Sequence, residues 1–180
     1  SSHIGSSPVA PMPPLLAAAL AGAPESCAPP PLTFLDFDGV LNHDASHGPL
    51  DPELLRNLGQ LVRDTESRLV ISSAWRKSSE ALKDLQAHLA REAGIPAERI
   101  VGATPSLCRG TECRAAEISA WIRQHPEQAA GRRWIAIDDQ PIGDQDPGLL
   151  RGHFVRTASR AGLTAERARE ASRLLMAKML

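Results

Sequence analysis

The chain has 180 residues, a formal net charge of −1 and an apolar fraction of 42%. This length predicts one domain, or one domain with a tail, and the charge argues against a nucleic-acid binder that works through bulk positive charge. The three cysteines form no Cys-x-x-Cys pair, which argues against a structural zinc site and fits a reducing compartment. We therefore expect a cytoplasmic protein.

The N-terminal residues 1–31 are rich in Pro, Ser and Ala, a composition typical of a tail or linker. They include a short apolar run at residues 15–21. This run is far shorter than the roughly 20 residues that cross a membrane, and no Lys or Arg precedes it as in a signal peptide. We expect a tail over residues 1–31, a folded domain over residues 32–180, and no membrane partner.

Two acids follow the first predicted strand. Residues 32–35 form a short apolar run that predicts a buried strand, and Asp36, Asp38 and Gly39 come directly after it. In an open parallel sheet, ligands bind beyond the carboxyl ends of the strands, so these acids lie where chemistry is expected. The alternative is a simple turn, because Asp and Gly are common turn residues.

A polar loop with His43, Asp44 and His47 comes next. Its two histidines could contact substrate, or the segment is simply a solvated loop. A helix is then predicted to begin after Asp51 as N-cap, with Pro52 at its first position.

The second predicted strand, residues 68–71, ends in Ser72 and Ser73. Their hydroxyl groups could bind phosphate or cap a helix. Arg76 carries a planar guanidinium suited to phosphate, although an exposed surface Arg is equally compatible with its position. A helix from Ser78 or Ser79 to about residue 93 is expected to stop at Gly94.

The third strand is predicted at residues 99–102, followed by a helix over residues 112–124 with Thr111 as its cap. Arg114 lies in the first turn of this helix, where a cation is unfavourable with respect to the helix dipole. This local misfit indicates a functional purpose for Arg114.

Two further acids, Asp138 and Asp139, end the fourth predicted strand, residues 132–137. Adjacent carboxylates after a buried strand repel each other without a cation. A fifth strand at residues 153–157 and a last helix from Ala165 to about Lys178, capped by Thr164, complete the chain. The five strand–helix alternations predict a three-layer α/β sandwich with a mainly parallel sheet.

Residues 34–41, Phe-Leu-Asp-Phe-Asp-Gly-Val-Leu, resemble the first motif of the haloacid dehalogenase (HAD) superfamily, an apolar strand followed by Asp-x-Asp-Gly-x-Leu. Asp138 and Asp139 resemble its fourth, acidic motif. The resemblance implies a Rossmann-like five-stranded sheet with the first strand at its centre. The connections between strands are too short for a large cap domain.

Ser72 resembles the Ser or Thr of the second superfamily motif. The third motif is a Lys or Arg, and Arg114-x-x-Glu117-Ile118 resembles the form found in a HAD subgroup associated with RNA-repair proteins. Arg109 is the alternative for this role.

The resemblance implies an HAD-type phosphatase, a Mg²⁺-dependent phosphohydrolase that forms an aspartyl-phosphate. Asp36 would be the nucleophile and Asp38 the general acid/base, which suits the ability of carboxylates to attack phosphorus and to transfer protons. The remaining expectations are Ser72 and Arg114 as catalytic residues, Ser73 and Arg76 as substrate-binding residues, and Asp36, the backbone carbonyl of Asp38, Asp138 and Asp139 as Mg²⁺ ligands.

An uncapped site suits a large substrate that itself excludes water. We therefore expect a phosphorylated macromolecule, either a phosphoprotein or a nucleic-acid end, with nucleic acid as substrate only. Two alternatives stay open: a phosphotransferase that uses the same intermediate, and a non-catalytic binding or effector module that keeps the fold.

Overall fold

The computed structural model describes residues 29–43 and 48–177. Residues 1–28 of the predicted tail, the loop residues Asp44 and His47, and the predicted end of the last helix at Lys178 lie outside the described residues. No helix within these two ranges is long and apolar enough to cross a membrane.

The centre of the molecule is a five-stranded sheet in the order β3-β2-β1-β4-β5. Every neighbouring pair is parallel, which confirms the predicted fold class and the central place of β1. The chain runs outward from β1 to β3 and then returns to start β4 on the other side of β1. The strands are β1 Leu32–Leu35, β2 Arg68–Ile71, β3 Ile100–Ala103, β4 Trp134–Asp138 and β5 Phe154–Arg156.

Helices cover both faces of the sheet. On one face α1, α2 and α5 pack with Leu35 of β1, and on the other face α3 and α4 pack with its neighbour Phe34. Successive strand residues point to opposite faces, so β1 contributes side chains to both cores and its sequence is largely apolar. The helices are α1 Pro52–Thr65, α2 Ser79–His88, α3 Arg114–Gln124, α4 Pro147–Leu150 and α5 Ala165–Ala177.

Most predicted helix ends are found where capping residues stand in the sequence. The Asp51 carboxylate accepts the backbone N–H groups of Glu53 and Leu54 at the start of α1. Ser78 caps α2 in the same way through the N–H of Ala81. After α2 the chain forms a π-helical turn, Leu89–Ala93. This turn ends at Gly94, whose backbone is left-handed, as expected of a glycine at the C-terminus of a helix.

The prediction for the start of α3 was wrong. Thr111 does not cap a helix at residue 112, because residues 111–113 form a turn in which the Thr111 carbonyl accepts the Arg114 N–H at 3.2 Å. The helix begins at Arg114, and Cys113 occupies the N-cap position without a side-chain cap. Arg114 is therefore the first residue of α3.

Gly59 permits close packing in the middle of α1. A Cβ atom there would lie 2.2 Å from the carbonyl oxygen of Ala93, which is a fixed backbone atom. Gly59→Ala should lower the free energy of unfolding by about 1–3 kcal/mol, because overpacking outweighs the gain in helix propensity. Urea unfolding measures the change.

Gly148→Ala in α4 is the matched control, since its Cβ would first meet the Asp146 side chain at 3.4 Å. We expect a change within about 0.5 kcal/mol. Equal effects at the two glycines would contradict the steric explanation.

Candidate active site

The first and fourth strands bring their acids together at one edge of the sheet. Leu35 of β1 pairs with Ile137 of β4, so the next residues, Asp36 and Asp138, lie side by side at the carboxyl ends of the two strands. This is the point where the strand order reverses, which is the usual ligand site of an open α/β sheet. One carboxylate oxygen from each of Asp36, Asp138 and Asp139 lies within 4.8 Å of the other two, and all three residues are buried.

Arg114 is the cation of this cluster. Its Nη1 lies 3.2 Å from Asp36 Oδ2 and 2.9 Å from Asp138 Oδ2, and it also donates to the Ser72 carbonyl. Only 4% of the side chain is exposed, whereas Arg109 is exposed. Arg114 thus lies within hydrogen-bonding reach of Asp36, and two carboxylates offset the unfavourable helix dipole at its position.

The cluster combines three carboxyl groups with one guanidinium. Burial raises the pKa of Asp36, although the Arg114 charge opposes the rise. Burial, together with the charge of Asp36, raises the pKa of Asp138 to about 8. Three carboxylates against one guanidinium form a donor set that could hold a divalent cation, because hard cations prefer carboxylate oxygens.

A glycine lets Asp139 approach the first motif. Gly39 has a φ of 70°, and a Cβ at this position would lie 2.6 Å from Asp139 Oδ2. The space that a larger residue would fill is thus occupied by a carboxylate of the cluster. Ser159 fixes the same oxygen by donating its hydroxyl at 2.7 Å. Sequence analysis did not identify Ser159, which lies 20 residues away in a loop without a motif.

Asp38 lies outside the three-carboxylate cluster and has partners of its own. Asn42 Nδ2 donates to its Oδ1 at 2.9 Å, and Trp75 Nε1 donates to its Oδ2 at 3.0 Å. Both partners were missed by sequence analysis. Asn42 was regarded as the start of a loop, and Trp75 is 37 residues from Asp38 in the chain.

The two serines after β2 occupy the same edge of the sheet. The Ser73 side chain lies beside the Asp36 carboxylate and opposes the rise that burial causes in the pKa of that acid. The Ser72 Oγ is buried and has no hydrogen-bond partner within the described part of the chain. An unpartnered buried hydroxyl is costly, so a polar ligand beside it would be favourable.

The family comparison agrees with this geometry. Residues 32–168 match the family described as the HAD domain in Swiss Army Knife RNA repair proteins. The chain belongs to this family. No curated protein and no solved structure matched the chain. The match confirms the expected relationship to the HAD superfamily and its RNA-repair subgroup, and it supports phosphohydrolase chemistry as the general class of activity.

Within this HAD domain, Arg76 is part of an internal ion pair. Its side chain is 8% exposed, and its Nη2 lies 2.8 Å from Oε2 of Glu117, which is 1% exposed. It also donates to the Ser73 and Pro105 carbonyls. The expected contact of Arg76 with substrate stays a prediction.

The Arg-x-x-Glu spacing of the family motif now has a physical basis. Residues three apart in a helix share one face, so Arg114 and Glu117 both point toward the strand ends. Arg114 contacts the acids, while Glu117 binds Arg76 and accepts the Leu107 N–H at 2.9 Å. Glu117 therefore ties the loops after β2 and β3 to α3.

Arg76→Ala should be strongly destabilising, because it leaves the Glu117 carboxylate buried without its cation. Removal of one partner of a buried pair costs about 3–5 kcal/mol. Arg91→Ala, which breaks an Arg–Glu contact with a 63% exposed arginine, should leave the unfolding midpoint nearly unchanged. Chemical denaturation compares the variants, and similar midpoints would show that the Arg76 pair adds no stability.

Proposed function

We propose that this HAD domain is a Mg²⁺-dependent phosphohydrolase that forms an aspartyl-phosphate on Asp36. The observation that carries the proposal is the buried cluster of Asp36, Asp138, Asp139 and Arg114 at the point where the strand order reverses. A purely structural acid cluster in this place would be costly, because desolvated carboxylates need compensating charge.

In the first step, a carboxylate oxygen of Asp36 attacks the phosphorus atom of the substrate. The phosphorus–oxygen bond to the leaving group breaks, and Asp38 gives its proton to the departing oxygen. Arg114 holds the attacking carboxylate and places positive charge beside the developing charge. The Ser72 hydroxyl, without a protein partner in the described residues, is free to donate to a phosphate oxygen.

In the second step, water attacks the phosphorus of the aspartyl-phosphate. Asp38, now a carboxylate, accepts the proton of that water, and inorganic phosphate leaves with Asp36 regenerated. The Ser73 hydroxyl lies beside the Asp36 side chain and can donate to its carboxylate. In this proposal Asp36 is the nucleophile, Asp38 transfers the proton, and the two acids lie in different environments.

Asp36, Asp138, Asp139 and the backbone carbonyl of Asp38 are the groups that would hold Mg²⁺. The ion would supply positive charge that offsets repulsion between the Asp36 carboxylate and the phosphate. Asp138 is the best-fixed acid, because its Oδ1 accepts the Gln140 N–H at 2.9 Å while its Oδ2 binds Arg114.

The substrate we propose is a phosphate ester on a macromolecule, with an RNA end first among the candidates. The described elements form one sheet with its covering helices, and no second folded unit stands over the acids within the described ranges. A large substrate can exclude water from such a site. The family occurs in RNA repair proteins, which favours a terminal RNA phosphate over a phosphoprotein.

Asp36→Asn should abolish phosphate release, because an amide is a poor nucleophile. Asp38→Asn should lower the rate by about 10²–10⁴-fold through loss of proton transfer. The assay compares RNA oligonucleotides with 3′- or 5′-phosphates, a phosphopeptide and p-nitrophenyl phosphate, each with and without Mg²⁺. Asp144→Asn, an exposed acid outside the cluster, is the matched control.

The alternatives give different outcomes in this assay. A phosphotransferase would consume the ester without releasing an equivalent of inorganic phosphate until an acceptor is added. A non-catalytic module would bind without turnover. Retention of most of the activity in Asp36→Asn would remove Asp36 as the nucleophile.

Mg²⁺ should raise the thermal unfolding midpoint of the wild-type protein and of Asp144→Asn. A ligand at 100 times its dissociation constant contributes about 2.7 kcal/mol. The shift should disappear in Asp138→Asn, which removes a charged ligand from the most enclosed acid of the cluster. An unchanged Mg²⁺ shift in that variant would place the ion elsewhere.

A further inference from the structure

Asp38 is held at both carboxylate oxygens by residues from two different loops. Asn42 Nδ2 donates to Oδ1 at 2.9 Å, and Trp75 Nε1 donates to Oδ2 at 3.0 Å. A carboxylate bound by one donor can still rotate about its terminal torsion, whereas donors at both oxygens fix its plane. We propose that Trp75 and Asn42 are positioning residues that aim the Asp38 carboxyl group for proton transfer, a role that rests on the proposed phosphohydrolase function.

The orientation of the Asn42 amide follows from its surroundings. Its Oδ1 accepts the Gly39 N–H at 2.8 Å, and its Nδ2 also donates to the Gly48 carbonyl at 3.2 Å. The amide cannot be reversed without facing N–H toward N–H at Gly39. Asn42 is buried, so its donor to Asp38 is fixed by the same turn that carries Asp38.

The orientation of Trp75 is fixed by packing and by the loop after β2. Its ring lies edge-on to the fully buried Phe37, with centroids 5.7 Å apart and planes at 76°. Its backbone N–H donates to Ser73 Oγ at 3.4 Å, and the Ser73 hydroxyl in turn contacts Asp36. One short loop therefore contacts both acids of the first motif, the nucleophile through Ser73 and the acid/base through Trp75.

In the proposed mechanism Asp38 transfers its proton in one direction, toward the leaving oxygen. Donors at both carboxylate oxygens restrict the directions that the carboxyl group can take. Pre-fixed geometry reduces the reorganisation needed when the leaving group departs. Trp75 contributes to rate through Asp38 and not through contact with phosphate.

Trp75→Phe tests the inference, because phenylalanine retains an aromatic ring beside Phe37 and lacks the indole N–H that binds Asp38. The substrates are two aryl phosphates of similar shape, phenyl phosphate and 2,4-dinitrophenyl phosphate. Phenolate needs a proton as it leaves, whereas dinitrophenolate does not. The quantity compared is kcat/KM, which reports the steps up to transfer of the phosphoryl group to Asp36.

We expect Trp75→Phe to lower kcat/KM for phenyl phosphate by about tenfold, and for the dinitrophenyl ester by less than about twofold. In the Asp38→Asn background, Trp75→Phe should cause no further loss with phenyl phosphate, because no acid remains to be aimed. Thermal unfolding of each variant confirms that the fold is kept.

Equal losses with both esters, no loss with either, or the same loss in the Asp38→Asn background would each overturn the positioning role. These results would leave the proposed function intact, since wild-type phosphate release and its absence in Asp36→Asn test that function separately. Failure of the wild-type protein to release phosphate from either ester, and from every substrate of the assay above, would refute both.

Discussion

The site depends on one buried contact, the Arg114 guanidinium between the Asp36 and Asp138 carboxylates. Burying two carboxylates costs free energy, and their attraction to one cation offsets only part of that cost. Three features of the fold make this contact possible: β1 is central, the chain returns to form β4 beside it, and α3 begins at Arg114. The three carboxyl groups form a donor set that could hold a divalent cation.

A second buried pair supports the first. Glu117 lies one helical turn after Arg114 and binds Arg76 and the backbone of Leu107. It thereby fixes the loops after β2 and β3 against α3, and the β2 loop carries Ser72, Ser73 and Trp75. Arg76, which the sequence suggested as a phosphate ligand, thus helps to hold the loop that supplies the hydroxyl groups.

Sequence alone predicted the parts of the structure that local rules determine. Apolar runs located the strands, Asp51 and Ser78 marked helix starts, and acids after two strands marked the site. It failed at Thr111, where a turn took precedence over capping. It also did not identify the partner of Arg76, which is 41 residues away. The hydrogen bonds of Asp38 to Trp75 and of Asp139 to Ser159 follow no spacing rule, since only the folded chain brings these residues together.

The two acids of the first motif thus lie in different surroundings although one residue separates them. Asp36 belongs to a buried cluster, with Arg114 and two other carboxylates as neighbours. Asp38 is held by neutral N–H donors from Asn42 and Trp75. Asn42 also binds the Gly48 carbonyl, so any displacement of the chain at Gly48 acts on the amide that orients Asp38. In the mechanism that we propose, such a displacement would therefore act on proton transfer by Asp38.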